Sequence, residues 1–184
     1  DVAPSRGLGD VYKRQVYELF NYKIAYEIRL QQAMEENLLC PFHYFGITDL
    51  SVVGDVKKNH DFSMLTSDER VRHIIQQANY YGYSGEKVKG LIFCSSIKET
   101  QELSHKFNNI VNPDTGKYFR TIALNGDATE QERQNAFERL AMDENEKNIN
   151  KKPLDYIFSV EILNEGVDIV EVNQVIMLLS LIHI

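Results

Sequence analysis

A glycine set between two carboxylates, Glu165-Gly166-Val167-Asp168, follows one apolar run and precedes another. The first run holds Tyr156-Ile157-Phe158-Ser159-Val160, and the second ends in Val175-Ile176-Met177-Leu178. Continuous apolar runs of this length suit strands covered on both faces, as in a parallel sheet. Loops at the carboxyl ends of such strands are where α/β proteins take ligands. Glu165, Gly166 and Asp168 are therefore candidates for a ligand-binding loop. The same residues also suit a tight turn that needs glycine, with two solvated acids beside it.

Other residue types offer less chemistry. The chain has no Gly-x-x-x-x-Gly-Lys-Ser/Thr phosphate loop and no Gly-x-Ser-x-Gly nucleophile elbow. His43, His60, His73, His105 and His183 show no paired spacing for a metal, so none is expected to hold one. The 10 tyrosines and 9 phenylalanines lack the basic interleaving of a base-stacking platform. Cys40 and Cys94 lie far apart without metal-ligand spacing, which suits a reducing cytoplasm better than a disulfide framework.

The elements that must position the loop alternate in type. Residues 88–94 read as a buried strand, 119–124 as a second, and the two runs above as a third and fourth. Between them, Ser96-x-x-Glu99 and Thr129-x-x-Glu132 have the form of capping boxes that open helices. Leu103 and Phe107 stripe the first helix; Ala136, Phe137, Leu140 and Ala141 face inward from the second. Asn112-Pro113-Asp114-Thr115-Gly116 is a turn cluster. Thr66-x-x-Glu69 opens an earlier helix, with Val71, Ile74, Ile75 and Ala78 on one face and an end near Gly82. Strands separated by helices of this length predict βαβ crossovers, hence an α/β fold with a doubly wound, mostly parallel sheet and helices on both faces. Further upstream, residues 16–20 and 24–28 read as short strands. Residues 30–39 read as a helix with Ala33, Met34 and Leu38 inward, and 42–53 as strand-like.

A net charge of −7 removes the basic footprint of a broad nucleic-acid binder, so any such contact must come from local amides, hydroxyls and a few lysines. No apolar stretch reaches the length of a membrane span, and no membrane partner is expected. The ends differ from the rest. Gly7-Leu8-Gly9-Asp10-Val11-Tyr12-Lys13-Arg14-Gln15 resembles translated adapter sequence, and Ser180-Leu181-Ile182-His183-Ile184 looks similar. Residues 1–15 and 180–184 are expected to be non-native.

Taken in order, four segments resemble the second RecA-like domain of superfamily 2, DEAD/DEAH-box-like helicases. Val88-Lys89-Gly90-Leu91-Ile92-Phe93-Cys94-Ser95-Ser96 is similar to motif IV. Ala123-Leu124-Asn125-Gly126-Asp127, with Glu130, Glu132 and Arg133, is similar to the strand-to-helix signature before motif V. Residues 157–168, continuing to Val175-Ile176-Met177, are similar to motif V itself. Ile24-Ala25-Tyr26-Glu27-Ile28-Arg29-Leu30-Gln31-Gln32-Ala33 resembles the crossing out of a first motor domain. Glu161 stands where many members have aspartate, and Val170 where many have proline.

The resemblance implies 16–53 as the end of a first motor domain plus linker, and 54–179 as the C-terminal RecA-like domain, truncated before motif VI. It implies ATP and Mg2+, bound mainly by the first domain of the same chain, with nucleic acid, DNA ahead of RNA, crossing both domains. Ser95 and the Asn125-Gly126 turn would hold phosphates, and Ser159 would donate to one. Gly166 would allow close approach of the neighbouring domain, Asp168 would reach the nucleotide, and Glu165 would anchor the loop. No catalytic residue is expected within this segment. The phosphate loop would lie upstream and the arginine-bearing motif past Leu179, so the segment alone is expected to hydrolyse no ATP. Two other readings fit the same residues: a helicase-like domain that only binds nucleic acid or protein, and an unrelated doubly wound nucleotide-binding domain.

Overall fold

The computed structural model describes residues 18–19, 21–22, 28–40, 42–48, 62–143, 151–160 and 169–178. The chain divides into two compact units, Asp1–Ile47 and Thr48–Ile184.

The first unit carries the helix α1 (Leu30–Glu35), with Ala33 buried. The helix is shorter than its sequence pattern predicts. Asn37 takes a left-handed φ of 57°, and Leu38 N–H turns back to the Ala33 carbonyl at 2.8 Å, which leaves Leu38 exposed rather than inward. Glu18 and Leu19 have helical backbone where a strand was expected, and residues 42–48 form no strand. Apolar content alone does not make a strand: the backbone needs a partner strand, and residues 42–48 join no ladder among the described residues.

The second unit runs α2 (Phe62–Leu65), α3 (Asp68–Tyr81), β1 (Gly90–Phe93), α4 (Ile97–Phe107), β2 (Thr121–Leu124), α5 (Glu130–Ala141), β3 (Tyr156–Ser159), β4 (Gln174–Met177). The strands pair in parallel in the order β2-β3-β1-β4. The path β1–α4–β2 steps one way across β3, and β2–α5–β3 steps back. Right-handed crossovers in opposite directions place their helices on opposite faces.

The side chains agree. Leu103 and Phe107 of α4, with Val71, Ile74 and Ile75 of α3, enclose Ile92, Tyr156 and Phe158 in one core. Ala136 and Leu140 of α5 enclose Leu91, Leu124 and Ile157 in another. Neighbours such as Leu91 and Ile92 thus enter different cores, as the two-residue period of a strand requires. The doubly wound parallel α/β sheet read from the sequence is the fold observed.

Aromatic packing sets the tighter face. Phe107 meets Tyr156 and Phe158 edge-on, with centroids 6.0 and 5.0 Å apart. The Tyr156 ring lies so close over β1 that a Cβ at Gly90 would come within 2.2 Å of it, so only glycine fits there. Tyr156 Oη donates to Gln174 Oε1 at 2.6 Å, and Gln174 Nε2 donates to the Ala78 and Gly82 carbonyls. That side chain ties β4 to the end of α3, where Gly82 (φ 68°) stops the helix as expected.

The strands are shorter than their apolar runs. Before β1, Lys89 N–H bonds the Asn173 side chain instead of a strand backbone. Before β2, Phe119 N–H returns to the Ile110 carbonyl and Arg120 N–H goes to Asp155 Oδ2. At this amino edge of the sheet, burial pushes the Lys87 amine down to about 8 and the Asp155 carboxyl up. Lys87 Nζ donates to the Leu154 carbonyl at 2.7 Å, and Asp155 O accepts Gly90 N–H. These perturbed groups close the strand starts, opposite the edge that carries the loops.

Candidate functional site

Strands β1 and β3 lie side by side and parallel in the sheet. After β1 the chain enters α4 on the Phe107 face. Ahead of β4, Ile169 and Val172 pack in the α5 core. In open α/β sheets ligands bind outside the carboxyl ends of the strands. The register Leu124–Ser159–Phe93–Met177 lines up the four strand ends. Asn125 and Gly126 follow the first, Ser159 is the second, and Ser95 lies just past the third. The nucleic-acid candidates therefore meet at one edge. Glu165, Gly166 and Asp168, the nucleotide candidates, lie outside the described residues.

At the β1–α4 junction, Ser96 caps α4 by accepting Glu99 N–H at 3.2 Å, half of the expected box. The Glu99 carboxylate does not return to Ser96. Its Oε2 accepts the backbone N–H and the hydroxyl of Ser95, at 2.8 and 2.6 Å. Its Oε1 accepts Arg70 Nη1 at 2.7 Å, and both side chains are almost completely buried. Arg70 also donates to the Leu65 carbonyl at 2.5 Å. Ser95 itself is exposed above this buried pair. Nothing in the local sequence pattern marks Arg70. It sits one position after the expected box residue Glu69, because Ser67 rather than Thr66 caps α3, accepting Arg70 N–H. Thr66 bonds back to the Phe62 carbonyl at the end of α2 instead.

At the β2–α5 junction the full box forms. Thr129 Oγ1 accepts Glu132 N–H, and Glu132 Oε2 accepts Thr129 N–H at 2.8 Å. The Thr129 N–H, and then its hydroxyl, which also donates to Oε2 at 2.8 Å, hold the Glu132 carboxyl below the usual carboxylate range. Asn125 Oδ1 accepts Asp127 N–H at 3.2 Å, forming a local Asx turn. Arg133 pins that turn from α5 by donating to the Ala128 and Gly126 carbonyls at 3.1 and 3.3 Å. Gly126 has ordinary φ and open space where a Cβ would stand.

Ser159 differs from the other candidates. It is 0% exposed, and its carbonyl accepts Cys94 N–H at 2.9 Å. Its hydroxyl lies beneath the edge rather than on it. The neighbouring Cys94 is buried too, and burial pushes its thiol up to about 12.

The family model for the helicase conserved C-terminal domain matches residues 69–180, which take in every strand and both junctions. The chain belongs to this family. The carboxyl edge of the sheet is thus that of a helicase C-terminal domain. No curated protein matches the chain. Among solved structures it is similar to the Mss116p DEAD-box helicase domain 2 bound to an RNA duplex, at 20% identity and a TM-score of 0.42. The similarity covers 63% of this chain and 39% of that one, so the chain spans well under half of that structure's length.

Among the described residues no group of three or more His, Cys, Asp and Glu side chains could hold a metal ion. Among the same residues no helix is long and apolar enough to cross a membrane.

Proposed function

We propose that this helicase C-terminal domain acts as the second motor domain of an ATP-dependent helicase or translocase, and that its carboxyl edge tracks the backbone of a nucleic-acid strand. The observation that supports this most is the gathering of Ser95, Asn125 and Gly126, separated by up to 31 positions in sequence, at one row of strand ends. They are small and polar, and the edge offers backbone and side-chain groups rather than a field of positive charge. That suits sequence-independent contacts to sugar and phosphate. Ser159 would join such contacts only if the edge opened above it.

ATP and Mg2+ would be held mainly by a first motor domain, with Glu165, Gly166 and Asp168 facing the shared cleft. The bound nucleotide supplies the phosphoryl-transfer energy that drives strand movement. Cys40 and Cys94, neither of them in a disulfide, suit a reducing compartment such as the cytoplasm.

Fluorescence anisotropy of a labelled single-stranded oligonucleotide tests the reading. The chain should bind it, Asn125→Ala should weaken binding several-fold, and the chain alone should show no strand-stimulated ATP hydrolysis. Binding that ignores Asn125→Ala would move the strand to another surface, and robust hydrolysis would end the assignment as one half of a motor.

A further inference from the structure

We infer that Ser95 meets the strand as a hydrogen-bond acceptor, and so takes a sugar hydroxyl, the 2′-OH of RNA, rather than a phosphate oxygen. The inference rests on the nucleic-acid reading of the edge and adds what kind of strand it prefers.

Serine brings two donors to this position, its backbone N–H and its hydroxyl proton. Both go to the same oxygen, Glu99 Oε2, at 2.8 and 2.6 Å. The short hydroxyl bond is charge-assisted, since its acceptor is a carboxylate paired with the Arg70 guanidinium. Glu99 is 0% exposed, so no water replaces a donor it loses. That oxygen would keep only the Ser95 N–H, and losing a charge-assisted bond in the core is more costly than an exposed bond forgone, so the hydroxyl keeps donating to Glu99. A phosphate approaching from solvent has its own water and offers nothing in exchange.

Ser95 is left with the lone pairs of Oγ, on an exposed residue. Phosphate oxygens at neutral pH carry no proton to give. A ribose 2′-hydroxyl does, and deoxyribose lacks it.

Asn125 has the opposite polarity. Its Oδ1 is occupied by Asp127 N–H, which turns the Nδ2 amide outward in bonding terms as a donor suited to phosphate. The edge therefore presents a donor after β2 and an acceptor after β1. With β3 between them, they stand two inter-strand spacings apart, roughly 10 Å. A ribonucleotide backbone offers both complements, phosphate oxygens and sugar hydroxyls; DNA offers only the first. This reverses the preference for DNA expected from the sequence. Glu99 is then a positioning residue: it never touches the strand, but it sets which atom of Ser95 does.

The test is equilibrium binding of the 184-residue chain to oligouridylate, 2′-O-methyl-oligouridylate and oligodeoxyuridylate of equal length. The methylated probe keeps an RNA-like sugar but has no hydroxyl proton, so it separates the hydrogen bond from backbone shape. Oligouridylate should bind about fivefold more tightly than either other probe, the worth of one hydrogen bond. Ser95→Ala should erase that ratio, and Ser95→Thr, which keeps the hydroxyl, should retain it. Asn125→Ala should weaken all three probes alike. Circular dichroism of each variant should match the parent, because a structural defect would lower all three affinities without touching their ratio. Equal affinity for the three probes, or a ratio that survives Ser95→Ala, overturns the inference while leaving nucleic-acid binding intact. Failure to bind any probe sinks the nucleic-acid reading and the inference together.

Discussion

The β2–α5 junction is closed on itself, whereas the β1–α4 junction reaches across the fold to another helix. Both begin with a hydroxyl cap and a glutamate three residues later, and the sequence pattern does not distinguish them. Glu132 returns to its own cap and stays in solvent. Glu99 is swallowed by the core, where Arg70 of α3 claims one oxygen and Ser95 the other. The difference follows from what lies beside each helix start. Glu132 is exposed on α5, while α3 packs on α4 and brings a guanidinium to Glu99. A cap that solvent can reach is a local device; one that is buried becomes part of the tertiary structure.

The strongest way to break this contrast is Glu99→Ala. It strands the Arg70 charge in the core, and losing one partner of a buried pair costs about 3–5 kcal/mol. Urea unfolding of the variant should show that loss. Cys94, next to the junction, should become open to alkylation, because its thiol is held unreactive by burial and then by the nearby Glu99 charge. Exposed Cys40 should react in both proteins and serves as the internal reference. A stability change no larger than that of an ordinary cap would mean the pair is not coupled to the core.

Thr129→Ala should be milder, about 1 kcal/mol, since it removes only a solvent-exposed cap. Its pH dependence has a definite sign. The folded Glu132 carboxyl sits below its unfolded value, chiefly through the Thr129 backbone N–H and then its hydroxyl. Its contribution is therefore complete above the unfolded value and disappears as pH falls through the folded one. The penalty of Thr129→Ala, measured by chemical unfolding, should shrink in acid. A penalty that is the same at neutral pH and in strong acid would show that the box is not formed.

The smallest effect is expected at Gly126→Ala. The added methyl meets open space and no unusual φ, so stability should move by less than about 0.5 kcal/mol. Any loss of oligonucleotide affinity would then report a strand lying against that turn, read by anisotropy.

Much of the architecture is legible in the residues. The alternation of apolar runs with capped amphipathic stretches carries the strand and helix order, and Gly82 marks the end of α3 through its positive φ. Boundaries drift where side chains substitute for the ladder. Asn173 takes Lys89 N–H and Asp155 takes Arg120 N–H, so β1 and β2 start later than their apolar runs. Residues 42–48 read as strand because they are apolar, yet no strand forms among them. Of the candidate site, Ser95, Asn125 and Gly126 are found at one edge. Ser159 is legible as an edge residue, but its burial is not, because a strand's last residue faces either core or solvent depending on what crosses above it.

What the chain determines by itself is periodic and local: where the backbone can be strand or helix, where a hydroxyl can cap, where a glycine can end a helix. Those depend on neighbours within a turn or two. Which capping glutamate would be buried, and hence whether Ser95 keeps its proton to give, depended on a guanidinium 29 positions away. Contacts of that range have no period and no local signature; they exist only once α3 and α4 lie on the same face of the sheet.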